Sequence, residues 1–206
     1  MKNFNTLFFT LLIVFSSQFL FPADIQGQTI QIGEQEWMTQ NLNVDHFRNG
    51  DSVPHARTSE EWEKAAEEGK PAWCYYENDS KKGKKYGKLY NWYAINDPRG
   101  LAPEGWKLPD RTDWNKLLNE LGGKETACEK FKTNWKRGDE NKTRFTALPA
   151  GARDLFGNFY AGGSFTAWWI ASGEDGGKRA VFCSNTYVGR NLNDKRNGFS
   201  VRCVKE

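Results

Sequence analysis

The residues that could perform catalysis are few and widely separated along the chain. There are two histidines, His46 and His55, and neither stands near a cysteine or in a pattern typical of a zinc site. Residues 162–165 place a serine after two glycines, but they lack the spacing of a nucleophile elbow and no histidine follows them. We therefore expect no catalytic residues and no enzymatic activity.

Four dispersed cysteines, Cys74, Cys128, Cys183 and Cys203, include no C-x-x-C pair. In an exported protein, an even number of separated cysteines indicates disulfide bonds. We expect two bonds, each contributing about 2–4 kcal/mol to stability. The spacing alone leaves three pairings open.

Three pairs of adjacent oxygen donors are compatible with calcium, which prefers carboxylate and carbonyl ligands in loops. They are Asn96-Asp97, Glu174-Asp175 and Asn193-Asp194. The same residue types are common in turns that bind no ion. We therefore expect no metal and no cofactor, with calcium as the alternative.

A polar segment near the C-terminus is the strongest candidate for a ligand-binding surface. Residues 184–198 lie between two strand-like stretches, 179–183 and 199–204, and have no apolar periodicity. A polar segment held between buried strands is typical of a recognition surface on a rigid scaffold. The candidate ligand-binding residues in it are Asn185, Tyr187, Arg190, Asn191, Asn193, Asp194 and Arg196. The alternative is a solvated hairpin loop without a ligand.

Trp168 and Trp169 extend this candidate surface, since they lie in a strand-like stretch, residues 166–172. Side chains alternate along a strand, so we expect one ring to face the core and the other to face outward. An outward ring could stack against a sugar ring. Core packing is the default interpretation for both rings.

The N-terminus resembles a secretory signal peptide. Lys2 precedes an apolar run, residues 7–15, that is too short for a comfortable membrane span. We expect cleavage after Gly27, with cleavage after Ala23 as the competitor and an uncleaved anchor as the alternative. The mature chain, residues 28–206, would then be secreted, periplasmic or on a bacterial cell surface, without a transmembrane segment.

The mature chain has the length of one domain. Its interleaved charges and the formal net charge of +3 do not indicate a nucleic-acid partner. Capping residues Thr58 and Asp110 predict two main helices, residues 124–132 a short third one, and residues 78–85 a charged loop. Short, glycine-punctuated strands in the second half complete an α+β pattern with antiparallel sheet.

Five motifs occur in order along the mature chain. They are Gly33-x-x-x-Trp37-Met38-x-x-Asn41-Leu42-Asn43, YGKLYNWYA at 86–94, APEGWKLP at 102–109, FTALPAG at 145–151 and GFSVRCVK at 198–205. Together they resemble the Fibrobacter succinogenes major paralogous domain family. The resemblance implies a C-type-lectin-like fold related to the formylglycine-generating-enzyme branch, and it supplies no catalytic residues. It also favours pairing Cys74 with Cys203 and Cys128 with Cys183.

Two chemistries of related proteins find no support in the residues. Formylglycine-generating enzymes hold copper with two cysteines a few residues apart, whereas Cys183 and Cys203 are twenty positions apart. The Glu-Pro-Asn, Gln-Pro-Asp and Trp-Asn-Asp triplets of calcium-dependent lectins do not occur. We therefore expect an exported, non-catalytic binding module for a glycan or a surface protein. A structural surface or matrix component is the first alternative, and a formylglycine-generating-like enzyme is the second.

Overall fold

The computed structural model describes residues 29–131, 145–171, 179–183 and 188–206. The predicted signal peptide, residues 1–27, lies outside them. Within the described residues, five α-helices and small antiparallel sheets form the mixed α and β architecture that the sequence predicts. Among the same residues, no helix combines the length and the apolar character needed to cross a membrane.

The helices begin at side-chain caps that the sequence makes visible. They are α1 Ser59–Glu67, α2 Ser80–Tyr86, α3 Trp92–Ile95, α4 Arg111–Glu120 and α5 Lys124–Phe131. Thr58 accepts a hydrogen bond from the Glu61 amide at the start of α1. Asp110 and Asp113 form a reciprocal capping box at the start of α4. These caps confirm the two main helices, and α5 confirms the short third one.

Helix α2 shows that the prediction of a charged loop at residues 78–85 is wrong. Asp79 caps this helix by accepting a hydrogen bond from the Lys81 amide. Gly83, which the sequence pattern treats as a loop residue, allows the helix to lie against the ring of Tyr75. A Cβ atom at position 83 would come within 2.1 Å of that ring. The glycine therefore serves a close contact between two elements.

The strands are short and pair in antiparallel fashion. They are β1 Thr29–Ile32, β2 Gln35–Met38, β3 Trp73–Cys74, β4 Leu89–Tyr90, β5 Trp106–Lys107, β6 Ala152–Arg153, β7 Phe159–Tyr160, β8 Thr166–Ile170, β9 Arg179–Cys183, β10 Val188–Leu192 and β11 Val204–Lys205. The largest sheet has the order β1-β2-β11-β5, so it joins the beginning and the end of the described chain. A second sheet has the order β10-β9-β8, and β3-β4 and β6-β7 form two small pairs.

The segment 198–204 connects these sheets. Gly198 bridges Arg153, Phe199 bridges Tyr90 and Ser200 bridges Trp168. Further along, the carbonyl groups of Val201 and Cys203 accept hydrogen bonds from the amides of Leu42 and Met38. The predicted strand at residues 199–204 is therefore a series of single bridges that ends in β11, because the segment passes between several partners.

The β10-β9-β8 sheet separates two parts of the apolar core. On one face Trp168 packs against Trp114 of α4, with ring centroids 5.6 Å apart. On the other face Trp169 packs against Phe199 at 4.7 Å. The two indoles do alternate, but both faces are covered and their exposures are 0% and 1%. The prediction that one ring faces outward is therefore wrong, and core packing holds for both.

One of the two predicted disulfides is present. Cys128 of α5 and Cys183 of β9 are bonded, with Cα atoms 5.7 Å apart. Cys74 and Cys203 are free and buried, so their predicted pairing is wrong. The two thiols belong to separate parts of the core: Cys74 packs in the cluster that contains Trp62, and Cys203 in the cluster around Trp169.

Candidate functional site

The described part of the predicted surface is a compact turn, residues 193–197, which we call the terminal turn. The Asn197 amide donates to the Asp194 carbonyl at 3.1 Å and closes it. The Asp194 carboxylate accepts from the Arg196 amide at 2.9 Å and from the Arg196 guanidinium at 2.9 and 2.8 Å. These hydrogen bonds raise the pKa of Arg196 above its ordinary value. The acidic side chain of Asp194 and the basic side chain of Arg196 are thus paired with each other within the turn.

Two tryptophans hold the terminal turn from the inside of the protein. The buried Trp62 of α1 donates its Nε1–H to the Arg196 carbonyl at 2.9 Å. The amide of Trp92, at the start of α3, donates to the Lys195 carbonyl at 3.0 Å. The side chains of residues 193–197 remain half-buried. The backbone of the turn is therefore fixed while its polar side chains stay accessible.

The remaining residues of the predicted polar segment are described only in part. Asn185 and Tyr187 lie outside the described residues. Arg190 and Asn191 belong to β10, where they pair with Val181 and Ala180 of β9. The prediction of one continuous polar loop at 184–198 is corrected accordingly.

Trp168 and Trp169 make no part of a binding surface. Trp168 donates its Nε1–H to the Asn41 side chain at 2.9 Å, and Trp169 donates to the Tyr90 carbonyl at 2.7 Å. Both indoles are thus buried and hydrogen-bonded internally. Their predicted role in stacking against a ligand is corrected to a role in the core.

A second exposed segment, outside the residues that the sequence pattern predicts to bind a ligand, adjoins the terminal turn. It comprises residues 155–165, which we call the aromatic segment, and Asp154 joins it to Arg153 at the end of β6. Arg153 pairs with Gly198, the residue after the terminal turn, in an antiparallel bridge. Residue 154 therefore lies beside residue 197, and the two segments leave the bridge on the same side.

The start of the aromatic segment is organised by Asp154. Its carboxylate accepts from the amides of Phe156 and Asn158 at 2.9 and 2.8 Å, and from the Asn158 side chain at 3.2 Å. The Gly157 carbonyl accepts from the Arg153 guanidinium at 3.0 Å. This network holds the ring of Phe156 in solvent, with 61% of its surface exposed. The turn is therefore ordered and presents an apolar ring at the surface.

Arg153 supports both exposed segments from the interior. It is fully buried and also donates to the Ala56 carbonyl at 3.1 Å and to the Thr58 carbonyl at 2.8 Å. Its guanidinium lies 4.9 Å from the Trp62 ring and 4.7 Å from the Phe159 ring. Sequence reasoning missed this residue because arginine is rarely fully buried.

A separate cluster of titratable side chains surrounds Trp73. His55 stacks on the Trp73 ring at 3.8 Å, and the Lys88 ammonium lies 4.1 Å from the same ring. The Lys88 ammonium also donates to the Asn43 carbonyl at 2.8 Å and lies 3.5 Å from the Asp45 carboxylate. Burial lowers the pKa of both His55 and Lys88. The Lys88 amine is engaged within the fold, where it fastens the loop at Asn43 to β4.

Among the described residues, no group of three or more His, Cys, Asp or Glu side chains could hold a metal ion. Two of the predicted calcium donors are bound to arginines. The Asp97 carboxylate accepts from the Arg99 guanidinium at 2.8 and 2.9 Å, and Asp194 is paired with Arg196 as described. Glu174 and Asp175 lie outside the described residues.

Comparison with known proteins identifies the family. A family model described as the Fibrobacter succinogenes major domain matches residues 30–205. No curated protein and no solved structure matches the chain. The family match agrees with the resemblance that the five sequence motifs indicate, and it carries no statement about a ligand or an activity.

Proposed function

The chain belongs to the Fibrobacter succinogenes major domain family, and we propose that it is an exported, non-catalytic binding module. Its described contact residues are Asn193, Asp194 and Arg196 of the terminal turn. Its ligand is a glycan or a protein at the cell surface, and no cofactor takes part. We also propose the C-type-lectin-like fold that the resemblance implies, with which the helices and small antiparallel sheets are compatible.

The observation that carries this proposal is the anchoring of the terminal turn. Trp62 and Trp92 fix its backbone with hydrogen bonds of 2.9 and 3.0 Å, while its side chains stay half-exposed. A polar surface that is ordered before it meets a ligand avoids much of the entropy cost of binding. Export is supported by the Cys128–Cys183 disulfide, which is typical of proteins in oxidising compartments.

The test compares the whole chain with an Asn193→Ala/Arg196→Ala variant on arrays of glycans and extracellular proteins. We expect the double variant to bind its ligand about tenfold or more weakly, since it removes an amide and a guanidinium from the contact surface. Lys84→Ala, which changes an exposed cation of α2 instead, is the matched control and should bind like the wild type.

Equal binding by the wild type and the double variant would show that the terminal turn is not the contact surface. Chromatography of each bound glycan after prolonged incubation addresses the non-catalytic part of the proposal. Shortened or chemically altered glycan would overturn that part. Melting temperatures of all three proteins establish that binding is compared between folded molecules.

A further inference from the structure

The aromatic segment carries no charged residue, although 27% of the residues in the chain are charged. Phe156 and Tyr160, with exposures of 61% and 39%, are the large hydrophobic side chains exposed among the described residues. Both belong to this segment. Contiguous apolar surface that is exposed marks an interaction site, and Tyr160 is the exposed end of a contiguous set of rings.

The rings continue from the aromatic segment onto the β10-β9-β8 sheet. Tyr160 and Phe165 have centroids 6.3 Å apart and planes inclined by 34°. Phe165 and Phe182 follow at 5.9 Å and 28°. Phe165 and Phe182 are partly buried and pack against the core cluster that contains Trp169. The three rings therefore form a row of similar orientation.

Hydrogen bonds fix the backbone beneath this row. The Gly162 amide donates to the Tyr76 hydroxyl at 3.0 Å, and the Gly163 amide donates to the Pro149 carbonyl at 3.0 Å. The Gly151 amide donates to the Phe165 carbonyl at 2.9 Å. The rings are thus presented by a preformed backbone, which favours binding without a large ordering cost.

We propose that the aromatic segment, together with Phe182, binds an uncharged saccharide, a proposal that rests on the binding function above. The faces of aromatic rings carry partial negative charge and attract the weakly positive C–H groups of a sugar ring. The Tyr160 hydroxyl makes no hydrogen bond to a described residue, so it is available to a sugar hydroxyl. Its combination of ring and hydroxyl matches a ligand that is apolar on its faces and polar at its edges.

Charge and size argue for this ligand over others. The aromatic segment itself holds no charge that could pair with an ionic ligand, and the neighbouring Asp154 carboxylate is engaged by the amides of Phe156 and Asn158. A standard protein–protein interface uses about 20–30 residues on each side, whereas the aromatic segment has eleven, residues 155–165.

Affinity electrophoresis of the whole chain provides the test. Native gels contain either an uncharged polysaccharide, such as hydroxyethyl cellulose, xyloglucan, galactomannan or glucomannan, or anionic alginate. We expect retardation in at least one uncharged gel and none in alginate. Phe156→Ala/Tyr160→Ala should weaken binding about tenfold or more, because it removes two stacking surfaces. Tyr160→Phe, which keeps the ring and removes the hydroxyl, should fall between this variant and the wild type.

Both substituted residues are exposed, so the double variant should keep the melting temperature of the wild type. Three outcomes would overturn the proposal. They are retardation by alginate alone, no retardation in any uncharged gel, and retardation that the double variant retains in full. If Asn193→Ala/Arg196→Ala weakens binding to a glycan and Phe156→Ala/Tyr160→Ala does not, the saccharide site on the rings is refuted while the binding function stands.

Discussion

Arg153 and Gly198 donate backbone hydrogen bonds to each other, at 3.0 and 2.8 Å. This bridge places the aromatic segment beside the terminal turn, because one follows Arg153 and the other precedes Gly198 in an antiparallel pair. Trp62 lies beneath it: a Cβ atom on Gly198 would come within 2.8 Å of the Trp62 ring. The two candidate contact segments therefore share one support.

A methyl group at position 198 should disturb both segments at once. Gly198→Ala places its Cβ against the Trp62 ring and within 3.1 Å of the Cβ of Arg153, which cannot move away easily because it is attached directly to the bridged backbone. We expect a loss of about 1–3 kcal/mol in the free energy of unfolding, measured by urea denaturation. Ligand binding through either segment should weaken in the same variant. Unchanged stability would show that the bridge can shift without cost.

Arg202 should contribute strongly to stability, since it is 1% exposed and satisfies many acceptors. Its guanidinium donates to the carbonyl groups of Met38, Thr39, Phe145 and Thr146 and to the side chain of Asn41. Burial lowers the pKa of Arg202 to about 9, so it remains charged at neutral pH.

Arg202→Ala leaves these buried acceptors without a donor, and we expect it to lower the free energy of unfolding by about 3–5 kcal/mol. Arg202→Lys should also destabilise the protein, because a single ammonium cannot reproduce the planar fork of donors. Urea denaturation measures both, with the exposed Arg57→Ala as a control expected within about 0.5 kcal/mol of the wild type. A loss below about 1 kcal/mol for Arg202→Ala would contradict this role.

The two free thiols should be unreactive in the folded protein. Burial raises the pKa of Cys74 to about 11 and the pKa of Cys203 to about 12, so neither forms a thiolate at neutral pH. We expect Ellman's reagent to detect no thiol in the native protein and two in urea. Reduction in urea, followed by removal of the reductant, should raise the count to four, because it opens the buried Cys128–Cys183 bond.

Any other number of reactive thiols would contradict a specific part of this description. Four thiols in urea without reduction would mean that Cys128 and Cys183 are not bonded. No thiol in urea would mean that Cys74 and Cys203 are paired after all, as the family resemblance implies. Fast labelling of the native protein would contradict the burial of the two side chains.

Local signals predicted those features of the fold that depend on neighbouring residues. The apolar spacing of Trp114, Leu117 and Leu118 and the cap at Asp110 suffice to predict α4, since these interactions lie within one helix. The buried arginines could not be predicted in this way. Arg202 lies in a stretch, residues 199–203, where apolar and polar residues alternate. The carbonyl groups that accept its hydrogen bonds come from distant segments of the chain.

The candidate site was predicted in part for a similar reason. Asp194 and Arg196 were selected because polar residues concentrate around them, and the structure does place them in an ordered, accessible turn. Phe156 and Tyr160 were missed because an aromatic residue indicates the core unless its surroundings are known. The absence of charge in residues 155–165 was the available signal, since an exposed loop usually contains charged residues.

His55 should make the stability of the protein depend on pH. Its ring stacks on Trp73 and its Nε2 atom is buried without a hydrogen-bond partner. Burial, assisted by the positive charge of Arg57, lowers the pKa of His55 below the value of 6.5 expected in the unfolded chain. The unfolded chain then binds more protons between the two pKa values, so stability falls as the pH falls below 6.5. The slope cannot exceed about 1.4 kcal/mol per pH unit and is smaller because the ring is partly exposed.

The measurement is the free energy of unfolding of the wild type and of His55→Phe between pH 7.5 and pH 5. Phenylalanine keeps a ring that can stack on Trp73 and does not titrate, so the difference between the two curves reports His55 alone. We expect the wild type to lose stability relative to the variant as the pH decreases. Parallel curves would mean that the folded and unfolded states bind the His55 proton equally well, and a wild type that gains stability at low pH would reverse the sign of the proposed shift.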